Sequence, residues 1–196
     1  NVTREQLALA VLDVIPDGNG GLKENSYTNW SQIDPSLPNR EITIYGPPTS
    51  SGTRDAFEEM IVEEATENMS AFVNNGKAGH HSIRSDAAYV PSGENDNLIV
   101  QKLNKNPDAF GIFGYSFLAE NRDKVQGANI NGVKPTPDTI ASGDYPVSRS
   151  LFFYIKNSHS DDVPAMKAYI DQFMSESMIG QRGRLKSIGL IPLATA

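Results

Sequence analysis

Residues 42–57, ITIYGPPTSSGTRDAF, impose a strand, a turn of small residues and a helix in immediate succession. Ile42 and Ile44 alternate with Thr43 and Tyr45, which is the period of a strand with one buried face, and Gly46, Pro47 and Pro48 stop it. Beyond the turn, Ala56, Phe57, Met60, Ile61 and Ala65 recur at helical spacing, while Asp55, Glu58, Glu59 and Glu63 fall mainly on other faces. A chain that must pass directly from strand to helix over such a turn belongs to a layered architecture of sheet and helices.

The rest of the sequence repeats that alternation. Thr3 caps a first helix through Leu7, Ala8, Val11 and Leu12, with Gln6 at the capping-box position. Pro16 to Arg40 is rich in Gly, Asn, Ser and Pro and reads as a long ordered loop that Trp30 and Ile33 pin to the core. Leu98, Ile99 and Leu103 mark a helix ending before Pro107, and the run from Phe110 to Phe117 reads as an apolar strand bent or closely packed at Gly111 and Gly114. Leu151 to Ile155 is the strongest strand signal of all, and Asp161 to Pro192 holds two helical patterns, one centred on Met166 to Phe173 and the other on Ile179 to Ile188. Strands alternating with helices give an α/β fold.

The turn itself has two readings. A helix start exposes backbone N–H groups and the positive end of the macrodipole, both of which favour an anion. Ser50, Ser51 and Thr53 add hydroxyls, Gly52 admits a ligand close to the main chain, and Arg54 offers a forked cation. The plainer reading is that Ser50 or Ser51 caps the helix and Arg54 pairs with Glu58 one turn on.

Other chemistry is disfavoured. The turn lacks the Gly-Lys-Ser/Thr ending of a P-loop, and Ser51 is not framed as Gly-x-Ser-x-Gly. His80, His81 and His159 sit in polar surroundings without a triad pattern, so Ser51 with His80 or His81 as base remains a secondary alternative, a phosphate-ester hydrolase. Asp17, Asn19 and Gly21 imitate an EF-hand opening, but Leu22 and Thr28 occupy positions that need Gly and Glu, which leaves a turn. There is no cysteine to bind metal or act as nucleophile, and 17 Lys and Arg against 24 Asp and Glu give a net charge of −7, which disfavours a nucleic-acid partner. Asn95 and Asn97 either cap a helix or face a cleft, the cap being the plainer reading, and Trp30, Tyr115 and the Phe110–Phe117 stripe suit core better than a ligand pocket.

Three segments, TNWSQIDPSLPNREITIYGPPTSSGTRDAF, DNLIVQKLNKNPDAFGIFGYSFL and YPVSRSLFFYIKN, resemble the periplasmic phosphate-binding proteins of bacterial phosphate ABC transporters, in the same order and over nearly the whole chain. The resemblance implies a type II periplasmic binding protein-like fold of two α/β lobes. It implies a non-catalytic receptor that encloses inorganic phosphate, delivers it to a membrane permease, needs no cofactor or metal, and works in the periplasm or attached to the cell surface. Ser51, Gly52 and Thr53 match the family's Ser-Gly-Thr, which opens a helix and donates hydroxyl and main-chain hydrogen bonds to phosphate. Many relatives carry an arginine and an acidic residue just before it, where this chain has Pro47 and Pro48 followed by Thr49 and Ser50. The charged role then passes to Arg54, with Thr49 and Ser50 as lesser contacts and Asp55 either bracing the guanidinium or facing solvent.

The resemblance also begins after the family's opening first-lobe segment. Residues 1–143 then correspond to the second lobe and residues 144–196 to the hinge crossover and return segment of the first. Leu151, Phe153 and Phe173 would lie exposed, open to association with another chain or a second copy. Arg149, beside the hinge, either guides lobe closure or braces the crossover. Another tetrahedral oxyanion, sulfate or molybdate, is the alternative ligand.

Overall fold

The structure, a computed structural model, describes residues 1–160 and 162–192. Helix α1 (Arg4–Val11) opens as the capping box requires: Thr3 Oγ1 accepts from Gln6 N–H at 3.1 Å and Gln6 Oε1 accepts from Thr3 N–H at 2.9 Å. Its Leu7, Ala8, Ala10 and Val11 are buried. The segment expected to be a long loop is more regular than that. Strand β1 (Val14–Pro16) pairs antiparallel with β2 (Leu22–Glu24), and a one-turn helix α2 (Trp30–Ile33) follows. Asp17 closes the hairpin turn by accepting from the N–H groups of Asn19 and Gly21 at 2.7 and 2.9 Å, and these bonds hold its carboxyl below the usual range. Neither Val14–Pro16 nor Leu22–Glu24 alternates apolar with polar residues, which is why the sequence showed only the turn.

The central sheet is parallel, with β3 (Ile44–Gly46) between β4 (Tyr89–Pro91) and β5 (Phe110–Gly111). Ile44 pairs with Tyr89 on one side and Phe110 on the other. Parallel neighbours need helical crossovers. The first is α3 (Gly52–Phe57), which runs through a π-helical turn (Glu58–Glu63) into α4 (Glu64–Asn68), and after Met69 into α5 (Ser70–Asn74). The second is α6 (Asp96–Lys105), capped by Asn95, whose side chain accepts from Asn97 N–H at 3.0 Å. Phe57, Ile61, Val62 and Ala65 join α1, Trp30, Ile42, Ile44, Phe72 and Tyr89 in a single buried core. On α6 the buried pair is Ile99 and Val100, while Leu98 is exposed.

Two expected strands are corrected. Only Phe110 and Gly111 pair in the sheet, Ile112 N–H makes the last bond to β3 at Tyr45 C=O, 2.9 Å, and the chain then turns at Gly114, whose N–H donates to Asp96 Oδ2 at 3.0 Å, into α7 (Tyr115–Glu120). A Cβ on Gly111 would lie 2.9 Å from Ile99, so the close packing read from that glycine is present. Residues 151–155 form no strand, and residues 149–155 make no backbone–backbone hydrogen bond with any described residue. A strand is stable only beside a neighbour that takes up its N–H and C=O groups, and none of the described residues does so.

Helix α8 (Pro137–Ala141), capped by Thr136, precedes that segment, and α9 (Ala165–Phe173) and α10 (Glu176–Ile179) follow it. The second helical pattern, expected over Ile179–Ile188, is instead interrupted. Gly180 and Gly183 adopt extended backbone, leaving a 3₁₀ turn at Arg184–Ile188. Asp161, where the last helical segment was expected to start, lies outside the described residues, as do residues 193–196.

Candidate functional site

The turn between β3 and α3 is fixed from below. Tyr89, opposite Ile44 on β4, donates its hydroxyl to Pro47 C=O at 2.8 Å, and Gly46 leaves room for that phenol. Ser51 N–H donates to Pro48 C=O at 3.0 Å, closing the small-residue turn. Ser51 is the N-cap of α3 in extended backbone, its Oγ accepting from Thr53 N–H at a long 3.3 Å. Its carbonyl accepts from Arg54 and Asp55 N–H at 2.9 and 3.2 Å. Gly52 N–H has no acceptor among the described residues, and a Cβ built on Gly52 would meet nothing within 4 Å. The main chain there faces open space, as a helix start built to receive an anion must.

That space is an open cleft of about 830 Å³. One wall is Ser51, Gly52, Thr53 and Ala56; the facing wall is Glu94, Asn95 and Asp96 at the start of α6. Phe117, Arg149 and Leu151 close the rim. Two helix starts therefore share one cleft, so the positive ends of two backbone dipoles meet there. Two carboxylates oppose them. Glu94 accepts from Ser50 Oγ at 2.5 Å. Burial pushes the Asp96 carboxyl above its ordinary range, and the Gly114 N–H bond to Oδ2 offsets part of that rise.

The sequence candidates divide. Ser51, Gly52 and Thr53 line the cleft, and Ser50 reaches across its rim to Glu94. Thr49 is exposed and makes no side-chain hydrogen bond with another described residue. Arg54 is only 6% exposed and lies behind the wall, its Nε donating to Glu58 Oε1 at 2.5 Å. The i,i+4 spacing brings those two side chains together on one helix face. Asp55 does not brace the guanidinium; it faces solvent. Glu94, Asp96 and Arg149 were not read as cleft residues. Only the Asn95 cap hinted that α6 begins there, and nothing in one sequence tells that two helix starts from different crossovers converge.

The histidines lie elsewhere. His80 Nε2 is 2.6 Å from Asp13 Oδ1 and its ring stacks on Phe72, while His81 Nδ1 is 3.0 Å from Gly79 C=O. Neither is bonded to Ser51 and neither lines the cleft. Among the described residues no group of three His, Asp or Glu side chains is placed to hold a metal ion, and no helix is long and apolar enough to cross a membrane.

Comparison with known proteins adds a family. A model described as a PBP superfamily domain matches residues 1–177. The phosphate-binding protein PstS of Staphylococcus haemolyticus is 32% identical over 146 residues, covering 72% of this chain and 40% of the relative. Protein SphX of Synechococcus elongatus is 28% identical over 176 residues, covering 87% of this chain and 45% of the relative. The chain thus spans less than half the length of these curated relatives. Among solved structures, the crystal structure of a possible phosphate binding protein from Planctomyces limnophilus superposes with a TM-score of 0.65 at 30% identity, covering 98% of this chain and 59% of that one.

Proposed function

The chain belongs to the PBP superfamily, and on that premise we propose that it is the phosphate-holding part of a solute receptor serving an ABC-type phosphate uptake system. The observation that carries this is the helix start at Ser51–Thr53, open to a cleft and unobstructed at Gly52, in a chain whose relatives are named for phosphate binding. Ser51 and Thr53 hydroxyls with the Gly52 and Thr53 amides replace part of the ion's hydration shell, and Ser50 and Thr49 flank them. Arg54 adds a fixed positive charge from beneath the turn, held there by Glu58 and the Tyr89 ring. Binding is the whole event, with no covalent chemistry. Ser51 as a nucleophile has no support, because its hydroxyl is bonded to no histidine.

Residues 1–143 act as the lobe that carries this cradle, and residues 144–196 as the crossover and return segment of a second lobe. The parallel sheet and every residue of the buried core up to Ile130 fall within the first range, and exposed apolar side chains gather in the second. The receptor works outside the cytoplasmic membrane and hands phosphate to a membrane permease. The return segment is also open to association with another chain.

Isothermal titration of the folded chain with inorganic phosphate, with sulfate and molybdate as competitors, tests the reading. Saturable binding that the competitors fail to displace supports it. Preferential binding of sulfate or molybdate reassigns the ligand, and a folded chain that binds none of the three sinks the proposal for this chain.

A further inference from the structure

Two carboxylates, Glu94 and Asp96, line the cleft, and the arginine nearest in sequence to its helix start does not. Arg54 is committed to Glu58 and to the Tyr89 ring behind the wall. Among the residues that line the cleft there is one arginine, Arg149, and no lysine. It stands where the chain leaves the body of the fold. Pro146 C=O accepts from Arg4 Nη2 at 3.1 Å, Tyr145 donates its hydroxyl to Ala128 C=O at 3.2 Å, and Ser148 Oγ donates to Tyr145 C=O at 2.7 Å. Beyond this anchored corner, residues 149–155 make no backbone hydrogen bond with the described residues. The anchored corner reaches Ser148, and Arg149 is the first residue beyond it.

What Arg149 does with its charge in the open cleft is weak. Its Nη1 lies 3.3 Å from Glu59 Oε2, and the two side chains are 48% and 63% exposed. A long, solvent-screened pair of this kind holds little free energy and exchanges partners readily. Glu59 sits on the same continuous helix as Gly52, seven residues further on, or about 10 Å along the axis. Arg149 therefore parks beside the cradle rather than across the molecule from it.

We propose that Arg149 supplies the direct charged contact to the bound oxyanion, giving up Glu59 when the ion arrives. The inference rests on the phosphate-receptor reading above and names a residue of that same site. A guanidinium presents paired N–H groups that match two oxygens of a tetrahedral anion, a geometry a lysine cannot reproduce. Glu59 acts as the competing counter-ion. It neutralises Arg149 while the cleft is empty and sets part of the threshold that an anion must overcome.

The test is a titration of the chain with inorganic phosphate, followed by NMR of the backbone amides and of the arginine Nε–H groups, with affinities measured for four forms of the protein. The expected result is that Gly52, Thr53 and Arg149 signals move together. Arg149→Ala then weakens binding about ten- to hundredfold, the range for one charge-assisted hydrogen-bonding group. Arg149→Lys also weakens it, because the fork is lost, and Glu59→Gln tightens it severalfold. Arg149 is exposed, so circular dichroism of the variants should match the parent. If Gly52 and Thr53 move while Arg149 does not, and Arg149→Ala binds as the parent does, the receptor reading stands and the Arg149 assignment falls. Equal affinity of Arg149→Lys and the parent also overturns it, reducing Arg149 to a distant charge. If no signal moves, both readings fail for this chain.

Discussion

The Arg54 guanidinium lies over the ring of Tyr89, 4.4 Å from its centroid, while the same phenol donates its hydroxyl to Pro47. One side chain of β4 thus braces both the turn that opens the cleft and the charge beneath it. Removing the guanidinium by Arg54→Ala forfeits the cation–π contact and leaves Glu58, only 23% exposed, without its partner. The expected loss is about 2 kcal/mol of unfolding free energy, measured by urea denaturation. Glu58→Gln, which keeps an acceptor for Nε, should cost less than half of that. Equal losses in the two variants would mean that the ion pair, and not the stacking on Tyr89, fixes Arg54.

Gly52 is where the proposed phosphate cradle can be told from an ordinary helix start. A methyl group there meets no atom of the protein within 4 Å, and the first helical turn tolerates alanine. Gly52→Ala should therefore leave the denaturation midpoint unchanged or slightly raised, while lowering phosphate affinity at least tenfold by filling the space where the anion approaches. Unaltered affinity would show that the ion does not sit against this amide.

Gly46 has the opposite constraint. A Cβ on it would fall inside contact distance of the Tyr89 hydroxyl and ring, and the displaced phenol would give up its bond to Pro47. Gly46→Ala should destabilise the protein by about 3 kcal/mol, as overpacking and a lost buried hydrogen bond combine. Gly46→Ala in a Tyr89→Phe background should cost less, since the hydroxyl that clashes is gone. A thermal melt of the four forms in the double-mutant cycle reads the difference.

Where one element decides its own conformation, the sequence was legible. The Thr3–Gln6 capping box, the Asp17 turn, the Ser51 and Asn95 caps and the strand–turn–helix at 42–57 all depend on neighbours within a few residues. The failures depend on partners distant in the chain. Leu151–Ile155 has the composition of a strand but no ladder to join among the described residues, and the apolar run from Phe110 leaves the sheet after Gly111 and turns at Gly114, whose N–H is held by Asp96 from the start of α6. The cleft followed the same division. Ser51, Gly52 and Thr53 were visible as a local motif, whereas Glu94, Asp96 and Arg149 reach it only through the fold.

The exposed run at residues 151–155 should associate. Leu151, Phe152 and Tyr154 are 74, 77 and 93% exposed, in a run with unpaired backbone beside a small cluster in which Phe153 meets Phe173 edge-on at 5.2 Å. Apolar side chains and free N–H groups together invite strand addition by a second chain. Light scattering should show a mass that rises with protein concentration. Phe152→Lys, placed on an exposed position, should lower that association without changing the far-ultraviolet circular dichroism. A constant monomer mass in the parent protein would remove the case for self-association.

Asp96 makes the stability of the fold depend on pH in a predictable direction. Burial raises its folded pKa above the ordinary 3.8, with the Gly114 N–H opposing the rise, so the native state holds this proton more tightly than the unfolded chain. Below 3.8 both states are protonated and the group contributes no difference. As pH climbs from there through the folded value, the native state alone retains the proton, and stability falls until Asp96 ionises; above that the penalty is constant. Asp96→Asn keeps an oxygen for Gly114 and cannot ionise. Its thermal midpoint should match the parent in acid and exceed it near neutrality. A difference independent of pH would place the effect in packing rather than in the charge. The same carboxylate faces the cleft, so at neutral pH Asp96→Asn should also bind phosphate more tightly than the parent. That gain should shrink as the pH is lowered and the parent's own Asp96 takes up its proton.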